Sequence, residues 1–416
     1  MAPPLGRSVL IYACAFAVAG VTPFLLLPIL TRHLSPQQFG EVTSFLILTT
    51  MLANLAGLSS HGFVSVRYFK SAGLEFKGLV SSAALAVLGA HVVAALVVAA
   101  FFSELRQLLG LQLGLSLLAV AAAFVLSLNL IFLAIFQSSG RPVLYLRARL
   151  IQAVAEFALC VALLAVFVPD SGARIYSYAA AVTASAAAGL HFCLRNGYLG
   201  GGVDRAHLRS LATFGVPLLP HIFAGSALAY LDRLVVSSLL GTESLGIFMV
   251  AMQIGMVIVV LIEPLNKALA PWLFEQLSKE APAARRMIVN RTYLLGAALI
   301  GSGVVVATVS TAFFDELIGP KYASAKPLIV FMVSGFVLQG MYYMVVNYLF
   351  YAEKTGRLST MSGLTAALGC LISYSLTSSY GLIGASASFA LNNAILFLLV
   401  WFAASRAVDM PWLPGR

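Results

Sequence analysis

The chain has 416 residues, of which 61% are hydrophobic and only 10% charged, and a formal net charge of +10. Soluble domains carry about 25% charged residues, so this balance excludes a soluble enzyme or binding module and describes an all-α integral membrane protein. At roughly 20 apolar residues per crossing, the length accommodates about a dozen spans with short connections and no large soluble domain.

Apolar runs, punctuated by Gly, Pro and charge clusters, predict twelve transmembrane helices. They lie near 8–31, 40–60, 78–102, 113–137, 150–168, 175–194, 212–238, 245–270, 291–314, 326–350, 358–377 and 383–405. The first run is longer than the 7–15 residues, roughly, of a signal-peptide core, so it is expected to be a retained span. The four cysteines, Cys14, Cys160, Cys193 and Cys370, sit in or at the ends of apolar runs without ligand-like spacing, and the expectation is that they are small core packers.

Basic residues alternate by side. The N-terminus and every second loop hold 18 of the 25 Lys and Arg, the other loops hold 5, and Arg233 and Lys267 fall inside spans. By the positive-inside rule both termini face the cytoplasm. That assignment accounts for most of the positive charge without nucleic acid as a partner.

The chain also repeats itself. LTRHLSPQQFGEVTSF near the first connection echoes SSLLGTESLGIFMVA near the seventh, with Leu34 on Leu240 and Gly40 on Gly246, an offset of 206. A weaker echo sets Gly140 and Arg141 on Gly356 and Arg357. Each echo lies six spans from its partner, so the halves cross the membrane in the same direction. This predicts two six-helix bundles, 1–194 and 212–416, joined by a basic cytoplasmic linker, 195–211, around a central cavity.

The residues at these joints resemble a known family. LPILTRHLSPQQFGEV, LDRLVVSSLLGTESLGIF and SSYGLIGASAS (378–388) are similar to the first hairpin, the seventh-to-eighth-span signature and the Gly-x-x-Gly-Ala turn of the polysaccharide-unit flippases. Those belong to the superfamily that also contains multidrug extruders and lipid II flippases. Two departures stand out: Val42 and Phe248 replace a common Tyr, and the first span carries Leu26 and Leu27 where the second half has Asp232 and Arg233. The resemblance implies export of undecaprenyl-diphosphate-linked oligosaccharide units across the bacterial inner membrane by alternating access. It also implies membrane lipids, a polysaccharide polymerase and glycosyltransferases as partners.

No nucleotide-binding, hydrolase or metal motif occurs, so neither enzymatic activity nor a cofactor or metal is expected. Ionisable residues inside spans carry the functional expectation, because a charge in hydrocarbon costs several kcal/mol unless paired or wet. These are Glu156, Asp232, Arg233, Glu263 and Lys267. Arg233 suits an anionic diphosphate, since its planar fork matches two phosphate oxygens; snorkelling to the nearby interface is the alternative. Glu263 and Lys267 stand at the favoured i, i+4 spacing for an ion pair. Pro264 interrupts that segment, and Pro271 is expected to end it. Glu156 offers either proton coupling or a structural hydrogen bond. Asn54 and His61 are candidate sugar contacts within a set of intramembrane amides and imidazoles, which equally serve as glue between helices. A cation-coupled multidrug antiporter of the same superfamily is the alternative function, with Glu156, Asp232 and Glu263 as its acids.

Overall fold

The computed structural model describes residues 5–71, 73–166, 170–279 and 281–412. The helices are α1 (Leu5–His33), α2 (Pro36–Ala56), α3 (Ser60–Tyr68), α4 (Gly73–Ala100), α5 (Phe102–Leu109), α6 (Leu113–Ser138), α7 (Pro142–Val166) and α8 (Ser171–Arg195). They continue with α9 (Arg205–Gly215), α10 (Leu219–Gly255), α11 (Val257–Ser278), α12 (Pro282–Ala312), α13 (Phe314–Leu317), α14 (Ile329–Tyr351) and α15 (Thr355–Ala407). Eleven described helical stretches are long and apolar enough to cross a membrane. The last of them runs 52 residues and contains a non-helical Gly381, so it supplies two crossings and the fold has twelve. Large apolar side chains such as Leu96, Val154 and Leu371 stay exposed, the expected state of residues that face lipid rather than a soluble core.

The first and seventh joints obey the same offset in two chemistries. At the first, Ser35 accepts from the Gln38 backbone N–H at 3.3 Å and the Gln38 side chain accepts from the Ser35 N–H at 2.9 Å. This reciprocal capping box, with Pro36 at the first helical position, starts α2. At the position 206 later stands Gly241, with φ 82° and ψ 174°. That region is open essentially to glycine alone, and it turns the chain between the seventh crossing and the eighth. Both following helices are long and interrupted: α2 gives way to α3 after Leu58 and Ser59, both left-handed, and the last part of α10 gives way to α11 at Met256. Val42 and Phe248, which follow the two joints at equivalent positions, are both buried.

Three expectations are corrected. In the weaker echo, helix-ending turns fall at Gly140, where Arg141 N–H donates to Phe136 O, and at Glu353, where Lys354 N–H donates to Leu349 O. Glu353 (φ 55°), not Gly356, is therefore the counterpart of Gly140 (φ 66°). The same six-to-one hydrogen bond forms at both sites, and it defines the register better than the Gly-Arg dipeptide does. Second, α11 continues through Pro271 to Ser278, because a proline removes one helical hydrogen bond without preventing the rest. Third, Cys160 and Cys193 are buried but Cys14 and Cys370 are exposed, so two of the four cysteines face outward.

By packing, the chain forms two compact units, Met1–Ser238 and Leu239–Arg416. The first has a core around Phe63, Phe76, Val80, Phe132, Ile135 and Phe136; the second, one around Leu273, Ile288, Val345, Tyr348 and Val400. Small residues let helices approach within each unit. A Cβ at Gly189 would stand 2.8 Å from Phe132, and one at Gly335 2.5 Å from the Phe389 ring, the contact style of membrane helix pairs.

Gly241→Ala should cost about 1–3 kcal/mol through backbone strain and lower the thermal midpoint of the purified protein by several degrees. Gly296→Ala, where a Cβ meets open space inside a helix, should leave the midpoint unchanged or raise it slightly. Equal midpoints for the two variants would show that the joint does not require glycine.

Candidate functional site

The start of α8 is fixed by Asp170, whose carboxylate accepts from the Ala173 N–H at 3.2 Å, and by Ser171, whose hydroxyl donates to Glu41 on α2 at 2.7 Å. Helix therefore begins upstream of the apolar run that starts at 175, and it carries Arg174 inward in its first turn. Arg174, expected in an outer loop, is 5% exposed. Its Nη2 lies 2.6 Å from Glu156 Oε1 on α7, and its guanidinium sits 6.0 Å from the Tyr178 ring centroid. Two charges withdrawn from water cost several kcal/mol each unless their geometry is good, and this short pair supplies that geometry. Arg174 Nη1 is buried without a protein partner, which leaves one charged donor for an anion or water.

Tyr178, one turn after Arg174, is where four helices meet. Its ring packs edge-on against Phe45 of α2 at 6.4 Å, and its hydroxyl lies within electrostatic reach of Glu156 and Arg149 on α7 and Tyr230 on α10. Arg149, half-buried, reaches Gln152 at 3.5 Å and sits 5.7 Å from the Tyr145 ring. On α10, the Arg233 guanidinium sits 5.3 Å from the Tyr230 ring, and its Nη1 donates to Ala229 O at 2.6 Å. Asp232 beside it is half-buried. Two turns earlier, Ser226 accepts from Asn54 of α2 at 3.3 Å. The helices of the first unit thus bring Asn54, Glu156 and the Asp232–Arg233 pair to neighbouring positions. Arg149, Arg174 and Tyr178 join them, and sequence reasoning missed all three. Arginines there outnumber carboxylates three to two.

The remaining expected residues lie elsewhere. His61 is exposed in the first turn of α3, just after the left-handed Leu58 and Ser59. Glu263, half-buried on α11, lies within electrostatic reach of Tyr343 on α14. The side chain of Lys267 lies outside the described residues, so the expected Glu263–Lys267 pair has no described geometry. The polar link in that part of the second unit is Asn347, which donates to Asn266 at 2.8 Å and to Tyr343 O at 3.1 Å. Other intramembrane polar residues act as helix glue: Ser185 donates to Asn129 on α6 and to Ala148 O on α7, both at 3.1 Å, whereas the His91 ring bonds Val87 O of its own helix at 2.8 Å. Among the described residues no group of three His, Cys, Asp or Glu could hold a metal ion.

The family model for polysaccharide biosynthesis proteins matches residues 5–277. A protein of the Lsg locus of Haemophilus influenzae is 22% identical over 374 residues, 86% of this chain and 88% of its own. A second membrane protein of that species is 25% identical over 382 residues, 87% of this chain and 89% of its own. Among solved structures, the lipid II flippase MurJ in an inward closed conformation superposes with a TM-score of 0.75 at 13% identity, over 95% of this chain and 87% of that one. The Vibrio cholerae MATE transporter VcmN superposes with a TM-score of 0.62 at 14% identity, over 96% of each chain. The fold is therefore shared with these transporters.

Arg174→Met should destabilise the protein by about 3 kcal/mol, because it strands a buried carboxylate, and the loss should appear as a lower thermal midpoint. Adding Glu156→Gln to that variant should restore part of the loss. A double variant whose loss equals the sum of the separate losses of Arg174→Met and Glu156→Gln would mean that the pair carries no coupling energy.

Proposed function

Because this chain belongs to the polysaccharide biosynthesis protein family, we propose that it moves lipid-diphosphate-linked oligosaccharide units across a bacterial inner membrane by alternating access. The observation that carries this reading is the cationic polar group within the first unit: Arg149, Arg174 and Arg233 face two carboxylates, and one of those is already bonded to Arg174. A diphosphate needs charged forks in a low-dielectric setting, where such hydrogen bonds are strong. Asn54, Ser226, Tyr178 and Tyr230 stand nearby with the donors and acceptors that sugar hydroxyls require.

In this reading both termini are cytoplasmic, the repeats are 1–194 and 212–416, and 195–211 links them. The lipid-linked unit is made by glycosyltransferases on the cytoplasmic side and consumed by a polymerase on the other. Without a nucleotide-binding motif in the sequence, the driving force is that consumption, the substrate's own gradient or an ion gradient. Asp232 and Glu263 are the acids on which ion coupling would rest.

A cation-coupled multidrug antiporter is the second reading, favoured by the superposition on the MATE transporter. The pairing of Glu156 with Arg174 takes one of the three acids such an antiporter would use.

Deleting the gene should strand lipid-linked repeat units on the cytoplasmic face and remove surface polysaccharide, whereas unchanged glycan with altered drug tolerance selects the antiporter. Arg233→Ala should reduce export about tenfold or more, the worth of one charged hydrogen bond, while Arg233→Lys retains part of it. Full export by the Ala variant at normal protein levels would remove Arg233 from the phosphate-binding role.

A further inference from the structure

On the face assigned to the cytoplasm by its basic loops, α3 and α9 line an open groove of about 680 Å³ within the first unit. That volume is in the range of small-molecule pockets, about 300–1,000 Å³. Each wall is a single helical stripe. From α3 and the turn after it come Phe63, Val66, Arg67 and Lys70, at i, i+3, i+4 and i+7. From α9 come Arg209, Ser210, Thr213 and Phe214, on one face by the same periodicity.

The groove is divided by chemistry. Phe63 and Phe214, with ring centroids 5.6 Å apart, form an apolar floor with Val66. Arg67, Lys70 and Arg209 form a cationic rim in which no carboxylate takes part. Arg67 is held in place: its Nη2 donates to Ser210 at 2.7 Å, and its guanidinium lies 5.5 Å from the Phe63 ring. Lys70 and Arg209 are exposed and point no charge at an acid across the groove. The acids close by in sequence are engaged elsewhere, Glu75 accepting from Ser71 and Asp204 capping α9 at Ala206.

We propose that this groove binds the diphosphate of a prenyl-type lipid, with the phosphates on Arg67, Lys70 and Arg209 and the first carbons of the chain on Phe63, Val66 and Phe214. Charge complementarity selects this occupant. Three unopposed cations match the two or more charges of a diphosphate better than the single charge of a phospholipid diester, and the apolar floor distinguishes an amphiphile from a free anion. The site rests on the transport reading for its role, as the place where the lipid-linked unit is first captured before it reaches the polar group around Arg174. Its binding chemistry stands apart from transport.

The test is a titration of full-length protein, in phosphatidylcholine nanodiscs, with farnesyl diphosphate. Saturable binding is expected, weakened at least tenfold by the double variant Lys70→Gln with Arg209→Gln, both exposed positions whose change spares the fold. Val66→Ser with Phe214→Ser should weaken farnesyl diphosphate but leave inorganic pyrophosphate unaffected. Three results overturn the proposal: pyrophosphate binding as tightly as farnesyl diphosphate, phosphatidylglycerol competing equally, or unchanged affinity in the Lys70 and Arg209 double variant. A protein that binds here as described, yet whose deletion leaves surface glycan intact, keeps the groove and overturns the transport reading.

Discussion

Hydrocarbon offers no hydrogen bonds, so every backbone group of this chain at membrane depth must be satisfied by its own helix. Reversals between crossings are consequently short and few in kind. One is closed by side-chain oxygens at Ser35 and Gln38, and two by glycines in backbone regions that other residues avoid, Gly241 and Gly381. Others end in turns where an N–H reaches back five residues, as at Gly140 and Glu353. The helices these joints place then pack through glycines pressed on aromatic rings, α8 on α6 at Gly189 and α14 on α15 at Gly335.

Against the same background, charge placement is informative because it is costly. The first unit concentrates its intramembrane charge around Tyr178. There the Glu156–Arg174 contact neutralises one acid and orients one arginine. Positions corresponding to Asp232 and Arg233 in the first half of the repeat are Leu26 and Leu27, both buried in packing. The two halves therefore share the joint, while the ionic pair stands in only one of them.

Much of this was legible in the sequence because it is periodic or punctuated. Twelve apolar runs read directly as crossings, and the 206-residue offset that sets Leu34 on Leu240 also sets Ser35 on Gly241. What escaped depends on three dimensions. Arg174 reads as a loop residue because a cap at Asp170 starts its helix earlier than hydropathy does. Tyr178 is unremarkable along the chain and becomes central only through neighbours on three other helices. Gly356–Arg357 matches Gly140–Arg141 in residue type, yet the left-handed turn belongs to Glu353. Dipeptide likeness cannot reveal which residue a hydrogen-bond ring selects.

The two equivalent joints also differ in how they can change over time. Ser35 works through a side-chain acceptor that threonine, aspartate or asparagine also supplies, so that codon has several neighbours open to it. Gly241 works through the lack of a side chain, and no other residue shares that property. Mutational drift is thus free to rewrite the chemistry of the first hairpin while it must leave the second as it is. A repeat whose halves began alike has one joint able to wander and one that is fixed.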